Sequence, residues 1–434
     1  MVALICFPVQ TCLLFFTREE TSLADRLKVC VISTESIPVY GGIGAYTTQL
    51  VEHLPEDIEV HLVTVNRNIQ GRLGTGNNSA NTSLKRKVTF HYLSMSNDDF
   101  LYYPFFQLAC FRKLQKLADQ YKFDLIHTQF PVMPDLLVRL FRRTGIPTIC
   151  TIHSSVETQM ASIKLAATSF SELDRAEKGN FLLFYPLKSL QYLYLKGLEW
   201  YITVSKFVLK ELVKSYPFME EKKISTVYHG VDTEEFFPLS VTNKSFLNEE
   251  KRPIVLFTGR MVAKKGPHVL IHAIPEVLKK VPDACFVFAG GGNFAPYMKL
   301  IQQLKISEKN YRYLGYVETS DMPQLYNMAS VYTAPSFEDS LGIRILEAMS
   351  CRKAVVASDV GGVHEIISRG RNGLLVEPGN KSELASNIIT LLEDDSLREA
   401  LAEEGRQSVL KGFSSIRMAS ETASLYHKVL DNST

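Results

Sequence analysis

From Lys28 onward, short β-branched runs alternate with stretches of helical spacing, the pattern of strand-helix-strand units stacked around a parallel sheet. The runs KVCVI (28–32), IEVHLVTV (58–65), DLIH (124–127), TICTI (148–152), YITV (201–204) and ISTV (224–227) predict buried strands. Between them, Phe111, Leu114, Leu117, Ala118 and Tyr121 follow the three-and-four spacing of one helix face. A polar stretch then breaks the alternation at Leu239 to Arg252. A second series follows: IVLFTG (254–259), CFVFAG (285–290), YRYLG (311–315), VYTAP (331–335), AVVAS (354–358) and GLLV (373–376). The pattern predicts an α/β chain of two Rossmann-like, doubly wound domains, 28–238 and 253–412, joined by a linker at 239–252 and facing a central cleft. Residues 1–27 are expected to form an extension outside the fold, and 413–434 a C-terminal helix crossing back to the first domain.

Length and composition agree with that division. The 434 residues allow two or three domains at roughly 150 residues each. Hydrophobic residues make up 46% and charged residues 22%, which excludes wholesale disorder. Lys and Arg total 48 against 46 Asp and Glu, so the net charge of +2 gives no electrostatic basis for a nucleic-acid partner. Seven cysteines without a C-x-x-C pair suggest neither a zinc site nor a disulfide framework, and a reducing cytoplasm fits them best.

Two segments stand outside the alternation. Met1 to Phe16 is uncharged and mostly apolar, shorter than the ~20 residues a spanning helix needs, and lacks the positive start of a secretory signal. It reads as an extension or misplaced start, with a membrane anchor or a signal as alternatives. The second is the insert Ser154 to Trp200, whose aromatic half reads either as a core helix or as an amphipathic surface for an acceptor or lipid headgroups, with Lys188 and Lys196 near phosphates. Peripheral contact with the inner face of the cell membrane is the corresponding expectation.

Open parallel sheets bind ligands beyond the carboxyl ends of their strands, and the chemistry-bearing motifs fall there. PSFEDSLGIRILEAMS (Pro335 to Ser350) leaves a strand, turns through acids and Gly342, and enters a helix. A helix start has unpaired N–H groups and partial positive charge, so Leu341, Gly342 and Ile343 are fitted to hold phosphate. Asp339 and Glu347, eight residues apart, are placed to face a sugar on one side of a diphosphate and a ribose on the other. GRMVAKKG (259–266) puts Arg260 and Lys265 at a neighbouring strand end, a planar fork and a compact charge for phosphate oxygens. In the first domain, Gly41, Gly42 and Gly44 allow close backbone approach after the first strand. His127 and His153 end successive strands, and Gly361, Gly362 and Glu365 lie at a further strand end in the second domain.

Taken in order, GGIG, IHT, TIHSS, VYHGVDTEEFFP, GRMVAKKG, FAGGG, YLGYV, APSFEDSLGIRILEAMSC, VVASDVGGVHEII and GLLVEPGN resemble glycosyltransferase family 4, the retaining GT-B enzymes that use nucleotide-sugar donors. The resemblance covers roughly Lys28 to Leu430. It implies that Arg260 and Lys265 neutralise the donor diphosphate, that Glu347 binds the ribose hydroxyls, that His153 lies at the reacting sugar, and that Gly42 approaches the diphosphate. It also implies a hexosyl transfer with retention, through an oxocarbenium-like state in which the leaving phosphate helps take the acceptor proton. Two positions depart from the family pattern. Asp339 stands where Glu is usual, with Glu338 beside it as a substitute, and His229 stands where Asn is frequent.

The donor is thus expected to be a nucleoside-diphosphate sugar acting as co-substrate, and the acceptor a glycan, a lipid-linked sugar, an inositol phosphate or a small metabolite. No metal is expected, because no D-x-D motif follows a strand and Arg260, Lys265 and the helix start supply positive charge. A glycoside hydrolase is disfavoured by the phosphate-binding loops, and a NAD oxidoreductase by the missing full glycine fingerprint. A sugar-nucleotide or glycan-binding protein without turnover is the remaining alternative, motivated by Asp339.

Overall fold

The computed structural model describes residues 26–35, 41–67, 84, 88–96, 102–130, 133–141, 144–166, 173, 175–239 and 252–432. The N-terminal stretch Met1 to Phe16 and all but the ends of the 239–252 linker lie outside the described residues.

Two parallel sheets carry the chain. The first joins β1 (Leu27–Ile32), β2 (Ile58–Arg67), β3 (Thr89–Ser96), β4 (Leu125–Phe130), β5 (Thr148–Ile152), β6 (Trp200–Thr203) and β7 (Lys223–Thr226) in the order β3-β2-β1-β4-β5-β6-β7. The second joins β8 (Ile254–Thr258), β9 (Cys285–Ala289), β10 (Tyr311–Gly315), β11 (Val331–Ala334), β12 (Ala354–Ser358) and β13 (Leu374–Val376) in the order β10-β9-β8-β11-β12-β13. Strand order therefore reverses between β1 and β4 in one sheet and between β8 and β11 in the other, and ligand crevices in open α/β sheets form at such reversals.

Central strands are buried along their whole length because helices cover both faces. β4, β6, β8 and β9 are buried at every position. The helix Tyr102–Tyr121 buries Phe106, Cys110, Leu114 and Ala118, with Phe111, Leu117 and Tyr121 packed at the margin of the same cluster. The last helix, Ser415–Asp431, lies against the first sheet, placing Met418, Ala419, Ala423, Tyr426 and Val429 in one core with Val29, Tyr46 and Leu50.

Two readings of the sequence change here. β3 is a seventh strand, hidden by the alternation of Phe90, Tyr92 and polar neighbours, which half-buries an edge strand. The strand expected to end at His127 continues to Phe130, which moves His127 from a strand end to a strand interior. The insert after β5 folds as helices Val156–Ala166, Arg175–Leu182 and Phe184–Lys196. Its last helix has a buried side (Gln191, Tyr194, Leu195) and an exposed apolar side that includes Tyr185, Tyr192 and Leu193. A groove of about 520 Å³ lies between that exposed side and Ser215–Phe218. No helix among the described residues is long and apolar enough to cross a membrane.

Candidate active site

The loops leaving β8 and β11, the two strands flanking the reversal in the second sheet, are laced together. Phe337 N–H donates to the Lys264 carbonyl at 2.8 Å, and Lys265 Nζ meets Asp339 Oδ1 at 3.0 Å. Gly266, at φ +72°, sits so close to the Pro335 carbonyl that a Cβ would fall 1.9 Å from its oxygen. On the other side, Gly361 and Gly362 admit the Asp339–Ser340 turn: a Cβ on Gly361 would lie 1.9 Å from the Asp339 oxygen, and Gly362 N–H donates to that oxygen at 2.9 Å. The glycine pair thus seats the acidic turn. Arg260 is exposed in the loop after β8, while Leu341 is buried beneath the turn. Gly342 adopts φ +102° at the N-cap of the helix Ile343–Ser350, whose first N–H groups have no partner within the helix.

Lys265 and Asp339, expected at separate ligand groups, are here each other's partner. Glu338 accepts from the Ser340 hydroxyl at 3.2 Å, and its backbone carbonyl lies 3.5 Å from Lys265 Nζ. Glu347, expected at a ribose, is buried and accepts from Tyr326 Oη at 2.6 Å and from Arg344 Nη1 at 2.9 and 2.7 Å. Its contact with a ribose therefore requires the Arg344 side chain to share or release it. Burial, with Arg260 beside it, lowers the pKa of Lys264, a third cation in this loop that the sequence reading passed over.

Across the interface, Gly42 begins the helix Gly42–His53, and a Cβ on it would lie 4.0 Å from Ile343 Cδ1, so two helix N-termini abut. Residues 39 and 40 of this loop lie outside the described residues. One turn on, the Tyr46 ring is edge-on to His153, centroids 4.8 Å apart, and to His229 at 5.2 Å. His153 follows β5, and its Nε2 is 2.8 Å from Gln129 Oε1. Burial pushes its pKa down to about 3, so the ring is neutral.

His127 does not join this group. Its ring is fully buried, with Nδ1 2.7 Å from Tyr426 Oη and Nε2 2.7 Å from Thr151 Oγ1. The strand interior turns it into the core under the last helix, so the expectation of a sugar-side role is corrected to a structural one.

Glu365 provides a bridge that spacing did not disclose. It follows β12, but its carboxylate accepts from Lys206 N at 3.0 Å, Phe207 N at 2.7 Å and Tyr228 Oη at 2.9 Å, all from the first layer. Ser205 Oγ donates to the Ser340 carbonyl at 2.6 Å and accepts from Val208 N. The first turn of the helix Lys206–Ser215 is thereby capped from the opposite domain, and the acidic turn is tied to it. Among the described residues no cluster of three or more His, Cys, Asp or Glu is placed to hold a metal ion.

Comparison with known proteins gives two family matches that divide the chain as the sheets do. Residues 40–235 match the Glycosyltransferase Family 4 model and residues 241–408 the Glycosyl transferases group 1 model. The putative glycosyltransferase EpsD of Bacillus subtilis is 29% identical over 337 residues, covering 75% of this chain and 82% of its own. Sucrose-phosphate synthase from Thermosynechococcus elongatus superimposes with a TM-score of 0.75 at 19% identity, over 94% of this chain and all of its own. HepE from Anabaena, solved with UDP and glucose, gives 0.68 at 19% identity over 93% of this chain and all of its own. Two parallel-sheet layers meeting at their reversal points, with both halves matched, make this chain a glycosyltransferase of the family 4, group 1 type in the GT-B fold.

Proposed function

We propose that the protein transfers a hexosyl group, with retention, from a nucleoside-diphosphate sugar to an acceptor hydroxyl. The observation that carries this reading is the lacing of the loop that holds Arg260 and Lys265 to the acidic turn before the Gly342 helix start, at the reversal of the second sheet, with Gly42 against Ile343. As the glycosidic bond breaks, negative charge builds on the diphosphate, and donors already aimed at that position lower the barrier most. Asp339 holds Lys265 in place, and the abutting helix starts add partial positive charge from both layers. His153, neutral and oriented by Gln129, is a hydrogen-bonding group for the sugar. The acceptor attacks from the face the diphosphate leaves, and the leaving phosphate accepts its proton.

These cations take the place of a divalent ion, so the reaction is proposed to be metal-independent and free of other cofactors. The exposed apolar face with Tyr185, Tyr192, Leu193 and Lys188 supports a lipid-linked acceptor reached from the cytoplasmic side of a membrane, over a free small metabolite. UDP leads the candidate nucleotides because HepE was solved with it. A thermal-shift panel of UDP, GDP and ADP, followed by turnover of the matching sugar nucleotide with and without EDTA, tests the reading. One nucleotide stabilises by about 2.7 kcal/mol at about 100 times its dissociation constant, and turnover survives EDTA. Binding without transfer or donor hydrolysis instead supports a sugar-nucleotide-binding protein.

A further inference from the structure

His229 lies on the loop after β7 and is only 2% exposed, yet its Nε2 has no hydrogen-bond partner. A buried polar atom left in this way costs free energy, and most such atoms in proteins are satisfied. Movement of the loop cannot relieve it, because the backbone on its C-terminal side is pinned. Gly230 is packed so closely on Ser414 that a Cβ would fall 2.4 Å from its oxygen. Val231 N donates to the Phe413 carbonyl at 2.8 Å, and Ser415 N donates to the Val231 carbonyl at 3.0 Å. The ring is fixed as well, edge-on to Tyr46, which shares its other contact with His153.

The surroundings indicate what chemistry would satisfy it. Tyr46 belongs to the helix that starts at Gly42, and Gly42 abuts Ile343 at the start of the opposing helix. Burial, with His153 and Arg344 as the nearby charged or titratable groups, keeps the imidazole neutral, its pKa pushed down to about 3. Arg344, itself paired with Glu347, is near enough to act on the ring, and the two abutting helix N-termini add partial positive charge. The partner that suits such a place is an anion with oxygen acceptors.

We propose that His229 Nε2 donates a hydrogen bond to the terminal phosphate of the bound nucleoside diphosphate, making it a donor-contact residue supplied by the first layer. This rests on the donor reading above and deepens it. On that reading Glu347, in the second layer, takes the ribose, so a first-layer side chain meets the phosphate nearer the sugar. Its effect is therefore expected for a diphosphate and not for a monophosphate.

Isothermal titration of the full chain with UDP and UMP, on wild type, His229→Phe and His229→Asn, tests this. In His229→Phe the ring contact with Tyr46 is kept and the orphaned nitrogen removed, so without nucleotide it melts at or above wild type. Its UDP affinity falls by about tenfold or more, the loss expected for a hydrogen bond to a charged group, while UMP affinity is unchanged. His229→Asn keeps an N–H donor and holds UDP within about threefold of wild type, well short of the tenfold cost of a lost charged bond. Wild-type UDP affinity in His229→Phe, or equal losses for UDP and UMP, overturns the proposal. Wild type that binds neither these nucleotides nor their GDP and ADP counterparts overturns the donor reading itself, and the inference with it.

Discussion

Lys265 and Asp339 are 27% and 21% exposed, and they hold one another at the mouth of two strand-end loops. An ammonium already fixed where charge will build spares the reacting step a rearrangement. Lys265→Ala is therefore expected to keep the wild-type melting temperature and lower kcat by about 10² to 10³-fold. Arg260→Ala acts in the same direction. Steady-state kinetics on folded variants checks both, and near-normal turnover in either contradicts the role given to it. His127 and His229, both buried, and the partly buried His153 make a second, independent prediction. Burial pushes the pKa of each down to about 3, whereas an unfolded chain titrates them near ~6.5. Between those values the unfolded state binds protons that the folded state refuses. Stability is thus present above about pH 6.5 and is lost as pH falls toward 3, by at most about 1.4 kcal/mol per pH unit for each ring. Thermal melts at about pH 7.5 and about pH 5 should show a lower midpoint in acid, with a smaller drop in His229→Phe. A flat midpoint contradicts the buried, neutral assignment. Residue type and spacing made the strand-end loops with Arg260, Lys265 and Asp339 legible because each follows a β-branched run. Pairing was not legible: nothing in the string says that Arg344 claims Glu347, or that His127 looks into the core.

At the scale of elements, the helix Lys206–Ser215 is the informative case. Ser205 caps it through Val208 N, but its two leading N–H groups are satisfied by Glu365, more than 150 residues away. A carboxylate at a helix start gains from the dipole and from charge-assisted bonds. Because Ser205 also grips the Ser340 carbonyl, closure of the two layers and the position of the acidic turn are one event. Glu365→Ala should raise the radius of gyration in small-angle scattering. It should also lower kcat by about tenfold or more, with donor affinity changing less. An unchanged radius and an unchanged kcat would show that Glu365 does not hold the layers together. The glycine pair at 361–362 was visible as a loop, and its purpose becomes clear only with Asp339 and Ser340 seated on it. β3 escaped notice for a related reason. An edge strand covered on one side alternates instead of running apolar, and that signal is weak in a short segment.

For the molecule as a whole, two sheets with equivalent reversal points bring the loops after β1, β5, β7, β8, β11 and β12 to one interface. Repetition of the strand-helix pattern made that architecture legible from sequence, because parallel sheets need long apolar strands and covering helices. The contacts across the interface were not, since they join residues far apart in sequence and depend on how the layers close. The last helix follows the same rule, its Tyr426 reaching His127 in the first core across 299 positions of sequence. Donor binding in the cleft is the claim on which the mechanism and the His229 inference both depend. Its most direct test is the midpoint shift produced by a nucleoside diphosphate in wild type and in Lys265→Ala, measured side by side. One of UDP, GDP or ADP is expected to raise the wild-type midpoint, and Lys265→Ala to lose most of that shift. No shift with any of the three, or an equal shift in the variant, contradicts it.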